Sequence, residues 1–68
     1  MALSKKFIEN RIKRFNEIYG TDYTVTSASD SRGAVYAVRK PNSSLLSSFM
    51  KLKEMDYFID GLFAAKNN

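Results

Sequence analysis

The stretch Tyr23–Lys40, YTVTSASDSRGAVYAVRK, constrains this chain more than any other. Two runs rich in Tyr, Val and Thr flank the polar break Asp30-Ser31-Arg32-Gly33, the pattern of a β-hairpin. Asp30 suits the start of a type I turn and Gly33 its left-handed end. A four-residue loop sets Ser29 opposite Ala34, Ser27 opposite Tyr36 and Val25 opposite Val38. One face then collects Tyr23, Val25, Ser27, Tyr36 and Val38. The other collects Thr24, Thr26, Ala28, Val35, Ala37 and Arg39. The first face is the more apolar, which selects this register over one slipped by a residue.

A two-stranded hairpin is marginal in water on its own, so the flanking segments must cover its apolar face. Both carry helical patterns. From about Leu3 to Tyr19, the residues Phe7, Ile8, Ile12, Phe15, Ile18 and Tyr19 recur as one side of a helix, and Gly20 follows as a left-handed C-cap. Pro41 ends the second strand, and Asn42-Ser43-Ser44 supplies N-cap types for a second helix over about 43–65. Its apolar face would hold Leu45, Phe49, Leu52, Met55, Ile59, Leu62 and Phe63. The expectation is an α+β fold of order α-β-β-α. It has one antiparallel hairpin, strands at about 23–29 and 34–40, and both helices packed on one face. That leaves the Thr24/Thr26/Arg39 face open or covered by a partner. With 68 residues there is room for one domain, spanning 1–68.

Chemistry is poorly represented. The chain has no cysteine and no histidine, which removes disulfides, the usual general base, the thiolate nucleophile and the commonest zinc ligands. There is no glycine-rich phosphate loop. Asp56 and Asp60 are a carboxylate pair at helical spacing, read most simply as solvated helix-margin groups. The expectation is a non-enzymatic protein with no cofactor and no metal. No apolar run reaches the roughly 20 residues that cross a bilayer, and nothing near the start reads as a signal peptide, so a cytoplasmic location and no membrane partner are expected.

Eleven Lys and Arg against seven Asp and Glu give a net charge of +4, which favours an acidic partner. On the first helix Lys5, Glu9, Lys13 and Glu17 form a self-neutralising ladder. Arg11, in contrast, projects into the apolar stripe, and Asp56 sits inside that of the second helix. A structural ion pair between Arg11 and Asp56 would reconcile the two.

Two functional readings follow. The first is a small interaction module that binds a protein partner or itself, through an unpaired sheet edge or a second stripe on the second helix, with Leu46, Met50, Tyr57 and Gly61 as candidates. The second is a basic nucleic-acid-binding protein, of the kind common among accessory proteins of phages and plasmids. It would use Lys6 and Arg14 of the first helix with Thr24, Thr26, Arg32, Arg39 and Lys40 of the hairpin.

Overall fold

The computed structural model describes residues 3–67 and has the order α1 (Lys5–Tyr19), β1 (Thr24–Asp30), β2 (Gly33–Arg39), α2 (Leu52–Asn67). Ser4 rather than Leu3 opens α1. Its backbone is extended and its side chain accepts a hydrogen bond from the Phe7 N–H at 3.2 Å, the N-cap arrangement. At the other end Gly20 adopts φ 67° and donates to the Asn16 carbonyl at 2.8 Å. Only glycine takes that conformation without cost, so the helix stops there.

The strands pair antiparallel, with Val25 opposite Val38, Ser27 opposite Tyr36 and Ser29 opposite Ala34, as the hydrophobic pattern requires. Pairing continues to Asp30 and Gly33, so only Ser31 and Arg32 lie between the strands. Gly33 has φ 95°, and the Asp30 carboxylate accepts the Arg32 N–H at 2.7 Å, holding the turn.

Residues 43–51 are not helical. Helix α2 begins at Leu52, and the segment before it runs along the outer edge of β2. Tyr36 and Met50 exchange backbone bonds of 2.7 and 2.8 Å, Leu46 donates to the Val38 carbonyl, and Lys40 donates to that of Ser44. Where the segment departs from a regular strand, the Ser47 hydroxyl accepts the buried Val38 N–H at 3.0 Å. A turn at Lys40–Ser43, with Ser43 at φ 71°, redirects the chain. The serines of this stretch form helices weakly because they compete for backbone groups, and the unsatisfied edge of β2 supplied those groups. The helix start falls instead where Glu54 reaches back to the Lys51 N–H at 3.2 Å, half of a capping box.

The extended segment beside β2 also changes which strand residues are buried. Val35 and Ala37, expected on an open face, are 1% and 0% exposed. Strand β2 is central, with β1 on one side and residues 44–50 on the other. Alternation from Met50 puts Phe49 on the same face as Val35 and Ala37. On the opposite face both helices pack, and the core joins Ile8 and Ile12 of α1, Val38 of β2, and Met55 and Ile59 of α2. Phe15, fully buried, stacks on Tyr23 at 5.8 Å and meets Phe63 edge-on at 5.2 Å, tying α1 to the hairpin and to α2. Ile18, expected in the core stripe, is instead 50% exposed.

Candidate functional site

Strand β2 uses both of its edges. Tyr36, Val38 and Lys40 direct their backbone groups to residues 44–50, so Val35, Ala37 and Arg39 direct theirs to β1. In an antiparallel ladder this makes Ala28, Thr26 and Thr24 the hydrogen-bonded partners. The intervening residues of β1, Val25, Ser27 and Ser29, therefore aim N–H and C=O away from the sheet. Among the described residues no backbone or side-chain group bonds them.

Two residues before Val25, at Tyr23, the same edge is closed. The Asn16 side chain accepts the Tyr23 N–H at 3.0 Å and donates to the Tyr23 carbonyl at 2.8 Å, and the Thr21 hydroxyl bonds the same amide oxygen at 2.7 Å. The carboxamide presents one donor and one acceptor, as a peptide group does, and so stands in for one residue of a neighbouring strand. Asn16 escaped the sequence reading because a lone asparagine in the last turn of a helix carries no signal of its own. Beside it, Ile12, Lys13, Glu9 and Val25 line a small cleft of about 190 Å³ at the start of the open edge.

The charged candidates separate by task. Arg11 bonds the Asp56 carboxylate at 2.5 Å and the Asp60 carboxylate at 2.5 Å, and also reaches the Asp56 carbonyl at 3.2 Å. Burial works against its charge, yet the bonds to Asp60 and Asp56 outweigh that and raise its pKa above the usual guanidinium value. The two carboxylates are thus held together by a cation between α1 and α2. Asp56 is partly buried at this junction, and Asp60 lies at its exposed margin. The guanidinium lies 5.8 Å from the Phe63 ring centre, beside an open groove of about 530 Å³ lined by Phe7, Asn10, Arg11, Arg14 and Phe63.

At the hairpin, Arg32 forks onto Asp30 at 2.9 and 3.2 Å and donates to the Phe49 carbonyl. The Arg32 side-chain bonds, then its backbone N–H, hold Asp30 below the usual carboxylate range. Arg39 donates to the Ser43 carbonyl at 2.5 Å and braces the turn after β2. Lys6, Arg14, Lys40 and Thr24 are exposed and Thr26 is half-buried. No ion pair among the described residues includes Lys6, Arg14 or Lys40. The structure therefore spreads these candidates over several surfaces.

The four interface candidates also separate. Leu46 and Met50 belong to the segment beside β2 and pack against the core. Tyr57 is 64% exposed on α2, and Gly61, one turn on, is exposed with open space around its Cα. Among the described residues no group of three or more His, Cys, Asp or Glu side chains is placed to hold a metal ion, and no helix is long and apolar enough to cross a membrane. No protein-family model matches the chain, and neither a curated protein nor a solved structure matches it.

Proposed function

We propose that this protein is a non-enzymatic interaction module that takes up an extended protein segment along the free edge of β1. The observation that carries the reading is the row of outward N–H and C=O groups at Val25, Ser27 and Ser29, left without partners beside an edge that Asn16 closes at Tyr23. Such a row templates strand addition. Natural edges are blunted by lysine, proline or a bulge, and Thr24–Ser29 has none of these. The Ile12/Val25 cleft would receive a side chain of the added strand. Helix α2 offers less support for an interface than its letters imply, because Leu46 and Met50 lie outside it and pack against the core, leaving only Tyr57 and Gly61 on the helix.

The decisive variant is Ser27→Pro. The Ser27 N–H points away from β2, so proline removes the edge donor and leaves the hairpin ladder intact. Wild type is expected to retain a partner from cells that produce it, and to show slowed amide exchange at Val25, Ser27 and Ser29 when that partner is bound. Ser27→Pro should retain none. Equal capture by the two proteins would refute strand addition at this edge.

A second reading, nucleic-acid binding, draws support from exposed Lys6, Arg14 and Lys40 and from the net charge of +4. The engagement of Arg32 and Arg39 within the chain weakens its hairpin component. Titration with duplex and single-stranded DNA at two salt concentrations tests it, since phosphate contacts make affinity fall steeply with salt. No binding at low salt ends it.

A further inference from the structure

We propose that a second copy of this chain occupies the β1 edge, pairing antiparallel about a two-fold axis at Ser27. The inference rests on the strand-addition reading above and specifies its partner. The free groups belong to Val25, Ser27 and Ser29, evenly spaced about Ser27. A two-fold there sets Val25 opposite the second copy's Ser29 and Ser27 opposite its own counterpart. Each is a hydrogen-bonded pair, three pairs of two bonds, about six in all.

The ends coincide as well. Beyond Val25 comes Tyr23, whose edge groups Asn16 has taken. In this register Tyr23 faces Ser31 of the second copy, which lies in the turn and outside the ladder. Sliding the strands by two residues in either direction leaves one free residue of each strand facing a turn or a capped group. The symmetric register is therefore the one that satisfies every free group. It also sets no like charges opposite one another. Asp30, the one charged residue of β1, would face Thr24, and the remaining pairs are Val–Ser, Thr–Ala and Ser–Ser. The two hairpins would become one continuous four-stranded sheet, an arrangement that supports a domain too small to bury a large core.

Sedimentation across a concentration series, on the full chain, tests this. Wild type is expected to dimerise with concentration and Ser27→Pro to remain monomeric with its circular dichroism unchanged. Ser27→Lys and Ser27→Glu place like charges opposite each other across the axis. Each variant should dissociate at roughly threefold or more higher concentration than wild type, and an equimolar mixture of the two should recover the dimer. This charge exchange reads the register and does not depend on the proline variant folding. A dimer that Ser27→Lys leaves unaltered, or a wild type that stays monomeric into the millimolar range, would overturn the proposal. If such a monomer still captures a partner that Ser27→Pro loses, self-pairing falls while strand addition stands. If capture is also indifferent to Ser27→Pro, both fall.

Discussion

Replacing Asn16 with alanine should cost this protein a large part of its stability, although Asn16 belongs to neither apolar stripe. The side chain makes three hydrogen bonds, to the Tyr23 N–H, the Tyr23 carbonyl and the Thr21 hydroxyl, at 3.0, 2.8 and 2.7 Å. Each such bond contributes about 1 kcal/mol net, so the loss is about 3 kcal/mol. Alanine is the better helix former at this interior position, which returns about 0.5 kcal/mol. The expected net effect is about 2 to 2.5 kcal/mol. A domain of this length is worth about 3 to 10 kcal/mol in total, so the change is visible in any unfolding experiment. In urea, with a slope of about 1 kcal/mol per molar, the midpoint should fall by about 2 M at unchanged slope. Exchange of the Tyr23 amide should accelerate out of proportion to that of Ala37, whose backbone groups face β1. A midpoint shift below about 0.5 M, or a Tyr23 amide no faster than its neighbours, would refute the claim that this carboxamide substitutes for a strand.

Three further outcomes are open to the same assays. Ser47→Ala strands the buried Val38 N–H without its 3.0 Å acceptor and should destabilise by about 1 to 3 kcal/mol, with the loss seen in urea; a neutral result would mean that the backbone of residues 46–50 re-registers. Gly61→Ala fills open space on an exposed stretch of α2 and should stabilise by up to about 1 kcal/mol, raising the melting temperature by a few degrees; a fall would show that the position is crowded. Asp30 titrates lower in the folded chain than when unfolded, so its contribution is full above about pH 4 and fades as pH drops through its folded value. Asp30→Asn should therefore lose stability relative to wild type at neutral pH, with the difference closing in acid; a difference independent of pH would assign the effect to the turn backbone.

The parts of this fold legible in the sequence are those governed by local periodicity. Register followed from Val25, Val38 and Tyr36, because a shift of one residue would have exposed all three, and Gly20 marked the end of α1 because few residues tolerate its conformation. Residues 43–51 were not legible for the opposite reason. Leu45, Phe49 and Leu52 satisfy a helical period, yet Tyr36, Val38 and Lys40 needed hydrogen-bond partners that only an extended neighbour supplies. That demand is non-local, and no pattern within the segment encodes it. The same limit applied to the candidate surfaces. Arg11 and Asp56 each stood out against an apolar stripe, but that Asp60 would join them depended on how α1 crosses α2. Arg32 and Arg39 looked like a basic patch until the structure gave each an acceptor within the chain.

Both edges of this small sheet are finished by devices other than an ordinary strand, and the asymmetry between them is what directs attention to β1. Along β2 the neighbouring segment supplies backbone groups to Tyr36, Val38 and Lys40, and where it departs from strand geometry the Ser47 hydroxyl completes the set. Along β1 the corresponding service stops after one residue, at the Asn16 carboxamide. If the edge were merely tolerated in water, nothing would require it to be bare of lysine, proline and bulges, the features that keep other edges from pairing. On the strand-addition proposal, a chain that closes the outward groups of Tyr36, Val38 and Lys40 on one side, and closes those of Tyr23 on the other before leaving Val25, Ser27 and Ser29 accessible, would offer an incoming strand a defined boundary. Asn16 then has two roles. It stabilises the joint between α1 and β1, and under the strand-addition proposal it would fix where an added ladder ends. Asn16→Ala separates these roles, since it weakens the fold while lengthening the open edge by one residue.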